Sequence, residues 1–174
     1  MFLRKEADRV RIVRLLLGLL LVVAAGCQKT PQQQAYDELV GKRGVTWAPG
    51  NFLDAAKNGQ TDVVTLFLRA GMNSESEDAQ GKTALIWAAA QGHAETVKAL
   101  LANGADPNNS DNEGKTALMW AARWDHIDCA LALLNKGANV NAKAVDGSTA
   151  LSIARTKQNA DLVKVLEEAG ASQS

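Results

Sequence analysis

Apolar side chains in this chain fall into a short stripe that repeats. Val97, Leu100 and Leu101 have the i, i+3, i+4 spacing of a helix with one buried side, and the stripe returns at a step of 33 residues as Val64, Phe67, Leu68 and as Ala130, Leu133, Leu134. Ahead of the stripe lies a second apolar patch. In the copy that serves best as template it runs from Ala84 to Ala90, bounded by Gly81-Lys82-Thr83 and by Gln91-Gly92. The Thr83 hydroxyl is placed to accept an otherwise orphaned helix N–H. Asn103-Gly104 ends the second helix, because Gly104 is at ease in the left-handed conformation. The pattern predicts a helix from Ala84 to about Ala90, a turn at Gln91-Gly92 and a second helix opened by His93. Residues Ala105 to Glu113 then run out to a turn tip and back.

The period holds elsewhere. Gly81-Lys82-Thr83-Ala84-Leu85 returns as Gly114-Lys115-Thr116-Ala117-Leu118 and as Gly147-Ser148-Thr149-Ala150-Leu151, and Gly71, Gly104, Gly137 and Gly170 keep the same step. Self-similarity at one interval means a stacked array. The fold expected is an all-α repeat solenoid of about four helix-turn-helix units with hairpin-like turns, over residues 51–76, 77–109, 110–142 and 143–174. One such unit cannot bury its apolar face alone, so stacking buries it and an end unit must be polar outside. The last stripe, Val163, Leu166, Glu167, ends on a charge, and Arg155 stands where Ala56, Ala89 and Ala122 stand earlier. Those two residues mark the C-terminal cap. Asp54, in place of Trp87, Trp120 and Ile153, makes Asn51 to Met72 the N-terminal cap.

Gly81, Thr83, Leu85, Ala88, Ala89, Gly92, His93, Leu100, Leu101, Gly104, Ala105, Asp106 and Asn108 resemble, position by position, the ankyrin repeat. The resemblance covers about Asn51 to Ala171 and implies a protein-binding scaffold. Two departures are systematic: Ala84, Ala117 and Ala150 replace the family's proline, and Ile86, Met119 and Ser152 replace its histidine. Loss of that histidine removes a hydrogen bond between neighbouring turns, so stacking should lean on apolar contact. Asp125 and Gln158 stand where Gly59 and Gly92 turn the chain, and local looseness is expected near Gln158.

The formal charge is zero overall, but five of the 19 basic and two of the 19 acidic residues lie in the first 26, leaving 14 against 17 beyond. That balance gives no electrostatic case for a nucleic-acid partner. Residues 1–26 read as a signal peptide: a basic segment ending at Arg14, the apolar run Leu15 to Ala25, then Gly26-Cys27. The run is short for a membrane-spanning helix, which needs about 20 apolar residues. Val23-Ala24-Ala25-Gly26-Cys27 resembles the lipobox of bacterial lipoproteins, with Ala24 where that family usually has leucine, a departure that leaves room for ordinary signal-peptidase cleavage after Ala25 or Gly26. The resemblance implies lipidation of Cys27 and a membrane tether through more than one acyl chain. Gln28 after the cysteine resembles lipoproteins sorted to the outer membrane, which places the mature chain in the bacterial cell envelope, facing the periplasm. Residues 27–50 form the lead-in, and Lys29 to Gln34, with three consecutive glutamines and no apolar period, reads as a tether.

Catalytic chemistry finds no constellation. His93 and His126 share one repeat position and read as helix-start residues bonded to a neighbouring loop; Cys129 reads as an inert small hydrophobe. Asp78, Asp111, Asp146 and Asp161 fit turn and capping chemistry. Trp87 and Trp120 lie on the period and read as wedges between units. Gly81-Lys82-Thr83 lacks the upstream glycine of a phosphate loop. No metal, cofactor or small-molecule substrate is expected, and the chain reads as non-catalytic.

In ankyrin-like stacks the turn tips and first-helix ends line a concave surface. Here they hold Gln80, Lys82 and Gln91 in one unit, Asn112, Glu113, Lys115, Arg123 and Trp124 in the next, then Asp146, Ser148 and Lys157. Trp124 is the outlier, since its counterparts Asn58, Gln91 and Lys157 are polar and no periodic core need explains an indole there. It reads as a binding anchor beside Arg123, or else as a cover for the turn at Asp125. The function expected is an interaction module that holds a protein partner on its concave face. The alternative is an envelope immunity or inhibitor protein, or an accessory protein in oxidative-stress resistance.

Overall fold

The computed structural model describes residues 29–172, so residues 1–28, including the apolar run and Cys27, lie outside the described part. Nine α-helices are described: α1 Pro31–Tyr36, α2 Pro49–Lys57, α3 Thr61–Arg69, α4 Ala84–Ala90, α5 Ala94–Ala102, α6 Ala117–Arg123, α7 Ile127–Leu134, α8 Ala150–Thr156 and α9 Ala160–Glu168. A π-helical segment, Asp37–Lys42, continues α1. None of these helices is long and apolar enough to cross a membrane.

From α2 onward the helices form two layers. The first helices of the units, α2, α4, α6 and α8, pack side by side as one layer, and α3, α5, α7 and α9 form the other. Small residues let the first layer close up: Ala55, Ala56, Ala88, Ala89, Ala121, Ala122 and Ala154 are all buried. Val64, Phe67, Val97, Leu100, Ala130, Leu133, Leu162 and Leu166 fill the seam from the second layer. Three of the four first helices start as their threonines predict, whereas α2 follows Ala48 and opens on Pro49 without a side-chain cap. The hydroxyls of Thr83, Thr116 and Thr149 accept from the N–H groups of Ile86 (3.3 Å), Met119 (3.4 Å) and Ser152 (3.1 Å). Ile86 and Met119, which replace the usual histidine, are buried between units, whereas Ser152 returns a bond to the Thr149 N–H and closes a capping box.

The turn between the two helices of a unit is locked by the unit that follows. Gly59 (φ 67°) and Gly92 (φ 78°) take the left-handed conformation, and the rings of His93 and His126 lie within 2.6 Å of where a Cβ would stand. The His93 ring nitrogen Nε2 bonds the Lys57 carbonyl at 3.0 Å. In the next copy Asp125 holds the left-handed position (φ 62°), and Asn159 replaces the histidine and donates to its carboxylate. Gly therefore pairs with His, and Asp with Asn. Among the described residues no further unit braces Gln158 (φ 59°), so an unfavourable backbone conformation sits on the C-terminal edge of the described array. Arg155 and Glu167 join the two layers of that edge at 2.7 Å.

The N-terminal side departs from expectation. Lys29 to Gln34 is not a featureless tether: Thr30 caps α1 through its hydroxyl, Pro31 occupies the first turn, and α1 packs against α3 in the position of one more second-layer helix. Ala35 and Leu39 are buried against the array, and the Gln32 side chain donates to the Ala70 carbonyl at 3.1 Å. Trp47 links this cap to the core, with ring centroids 5.7 Å from Tyr36 and 5.6 Å from Phe67. Hence Asn51 to Met72 ends the array in the first layer, where Asp54 is exposed, but not in the second, where the apolar side of α3 is covered.

Candidate functional site

The hairpin tips and the first helices meet along one side, and a repeated construction there orients two tryptophans. In the second unit Asp78 accepts from the N–H groups of Gln80 and Lys82, both at 2.9 Å, through Oδ1, and from the Trp87 indole at 2.8 Å through Oδ2. In the third, Asp111 accepts from Glu113 (3.0 Å), Lys115 (2.9 Å) and the Trp120 indole (2.8 Å). One carboxylate thus ties the hairpin to the helix and fixes the ring. Burial raises the Asp78 pKa, but the bonds from Lys82, Trp87 and Gln80 and the Lys82 charge outweigh it and hold the group below its ordinary value. The turn chemistry expected of these aspartates is present; the indole bond was not expected. Trp87 and Trp120 are half-buried rather than sealed wedges, with ring faces turned to the side chains of this surface.

Cations occupy those faces. The Lys82 ammonium lies 4.6 Å from the Trp87 centroid and 4.0 Å from that of Trp120, between the two rings. Lys57 approaches Trp87 from the first unit at 4.6 Å, and Arg123 stands 5.7 Å from Trp120 and 5.9 Å from Trp124. All are within the distance at which a cation is attracted by an indole quadrupole. Between the second and third units opens a groove of about 440 Å³, lined by Lys82, Trp87, Ala90, Gln91, Trp120, Trp124 and His126. A smaller one of about 240 Å³ lies on the other side of Trp87, beside Leu53, Asp54 and Lys57. Trp124 is 54% exposed, a large apolar side chain of which the fold covers only about half.

Of the residues singled out in the sequence, Lys82, Gln91 and Trp124 border the larger groove, and Arg123 and Lys115 adjoin its rings. Lys115 is held by Glu113 at 2.5 Å. Asn112 has packing duty after all: its amide donates to the Ala79 carbonyl and its N–H to that of Gln80, which ties consecutive hairpins together over Gly81. Asp146 is occupied by the N–H and hydroxyl of Ser148 in its own turn. Gln80 and Lys157 are exposed and lie outside both grooves. Trp87, Trp120 and Lys57 were missed, although a signal existed. Aspartate and tryptophan recur nine residues apart in two units, and both are replaced in the fourth, by Ala144 and Ile153.

Other chemistry is sparse. Cys129 is buried, and burial pushes its thiol up to about 11, which leaves no thiolate for reaction near neutrality. Among the described residues no three His, Cys, Asp or Glu side chains form a group that could hold a metal ion.

A family model for ankyrin repeats, covering three copies, matches residues 52–144. No curated protein matches the chain. The match ends at Ala144, where the aspartate–tryptophan construction also stops.

Proposed function

The chain belongs to the ankyrin-repeat family and is an interaction module for a protein partner; we propose that it acts without catalysis, tethered to the bacterial envelope and facing the periplasm, and grips that partner along the Trp87–Trp120–Trp124 side. The observation that carries this reading is the row of oriented indoles. The fold fixes Trp87 and Trp120 by hydrogen bonds to Asp78 and Asp111, yet leaves them half-exposed beside an open groove. Aromatic side chains of this kind, with an adjacent arginine, concentrate binding energy in protein interfaces. Gln80, Lys82, Gln91, Asn112, Glu113, Lys115, Arg123, Trp124, Asp146, Ser148 and Lys157 supply the surrounding surface.

The tether rests on the order of the first 27 residues, basic, apolar, small and then Cys27. Labelled palmitate should enter the wild type and not Cys27→Ser; equal labelling of both would contradict it. The binding face is tested by proximity capture from envelopes. Trp124→Ala should lower affinity for the captured partner at least tenfold, about 1.4 kcal/mol, with little change in the melting midpoint, whereas Lys98→Ala on α5 should leave affinity unchanged. A Trp124→Ala protein with normal stability and normal capture overturns the assignment.

A further inference from the structure

We infer that the segment received by this face is acidic and extended, a stretch of the partner whose Asp or Glu carboxylates meet Lys57, Lys82 and Arg123 while an apolar side chain enters the groove beside Trp124. The inference rests on the reading of this side as the binding face and adds the chemistry of its occupant.

Beyond the first 26 residues acidic groups outnumber basic ones, 17 to 14. Cations gathered on one side therefore run against the net charge. Among the described residues the ion pairs engage Lys29, Arg43, Lys98, Lys115, Arg155 and Lys164, and none of them engages Lys57, Lys82 or Arg123. Those three stand against indole faces instead. A ring face attracts a cation but accepts no strong hydrogen bond from it, so the ammonium and guanidinium N–H groups stay available to a carboxylate. The contact also restrains long side chains before binding, which lowers the ordering cost of using them.

The remaining polar inventory points the same way. The Trp87 and Trp120 indole N–H groups are already spent on Asp78 and Asp111, so the rings offer no donor of their own. The nearby carboxylates of Glu113 and Asp146 are bound to Lys115 and Ser148. What the larger groove presents is therefore Lys82, a cation outside any ion pair among the described residues, beside apolar ring surface with no carboxylate in its lining, while the exposed Asp54 stands by Lys57 at the smaller groove. A basic or quaternary-ammonium occupant would have to displace cations already on the rings.

Lys57, Lys82 and Arg123 belong to three consecutive units, which sets the direction and spacing of the occupant. Lys57 and Lys82 each lie 4.6 Å from the Trp87 centroid, and Lys82 and Arg123 lie 4.0 and 5.7 Å from that of Trp120, which keeps successive charges within about 10 Å, and an extended chain advances about 3.3–3.6 Å per residue. Carboxylates about three residues apart therefore come into step with successive units.

The test uses the full chain and labelled synthetic peptides read by fluorescence anisotropy: one of repeated Glu-Thr-Leu triplets, its Gln-Thr-Leu counterpart, a Lys-Thr-Leu counterpart, and an oligothymidylate. The Glu peptide should bind at least tenfold more tightly than the Gln peptide and weaken as salt is raised. Lys82→Gln and Arg123→Gln should each reduce its affinity severalfold, with Lys82→Arg retaining it and all three variants melting near the wild type. Equal binding of the Glu and Gln peptides, preference for the Lys peptide or the oligothymidylate, or binding of none overturns the inference. If the peptides fail in this way while Trp124→Ala still loses the envelope partner, the binding face stands and only its acidic occupant falls.

Discussion

The coupling between Asp111 and Trp120 offers the sharpest stability test. Asp111 is 6% exposed and accepts three hydrogen bonds, from the Glu113 and Lys115 N–H groups and the Trp120 indole. Hydrogen bonds to a charged group contribute about 1.5–3 kcal/mol each. The hairpin N–H groups lie near the surface and can turn to water, so Asp111→Ala should cost about 3 kcal/mol rather than the full sum. In a chain of this length that corresponds to about 6–12 °C in the melting midpoint. Trp120→Ile removes a half-buried ring and its cation contacts and should cost about 1–2 kcal/mol. The fourth unit carries Ala144 and Ile153 at the equivalent positions, so the pair exchanged together leaves neither partner stranded. The double variant should be less destabilised than the two single effects combined, by about 1 kcal/mol or more. Urea unfolding of all four proteins, followed by circular dichroism, gives the cycle. Additive effects, or an Asp111→Ala cost below about 1 kcal/mol, would show that Asp111 and Trp120 are not coupled.

Three further outcomes follow from the geometry. Gln158→Gly relieves the left-handed strain on the C-terminal edge and should stabilise by about 1 kcal/mol, more than Asp125→Gly, which forfeits the bond from Asn159; urea midpoints compare them. Leu39→Ala should cost about 2–4 kcal/mol because Leu39 is fully buried where the N-terminal cap meets the array, and no loss would show the cap to be loosely attached. The Asp78 pKa is depressed below 3.8 in the folded chain, so its contribution is complete above that value and is lost as pH falls through the folded pKa. Asp78→Asn should accordingly flatten the acid limb of the stability profile, and an unchanged limb would remove Asp78 from the account.

Much of the array was legible because its features are local and periodic. The threonine caps and alanine-rich first helices form as the 33-residue step implies. The packing of residues 31–42 onto the array was not legible because only Ala35 and Leu39, one helical turn apart, are buried there, and the glutamines work through hydrogen bonds that leave no apolar period. The site was half legible. Trp124 stands out by breaking the period, whereas Trp87 and Trp120 keep it and so looked like packing. Their orientation depends on carboxylates nine residues away, a relation visible only when a pair, not a single position, is followed from unit to unit. Asn112 misled in the opposite sense, since a polar residue at a hairpin tip looks free until the neighbouring hairpin is placed beside it.

Amide hydrogen exchange of the full chain, with and without its captured partner, reads out whether that partner is held along the Trp87–Trp120–Trp124 side. Added protection is expected at the hairpin tips 79–82 and 112–115 and at the first-helix ends 87–91 and 120–124, with little change in α5 and α7. Protection gained in α5 and α7 while the hairpin tips exchange as before would place the partner on the opposite layer and rule out the tryptophan side.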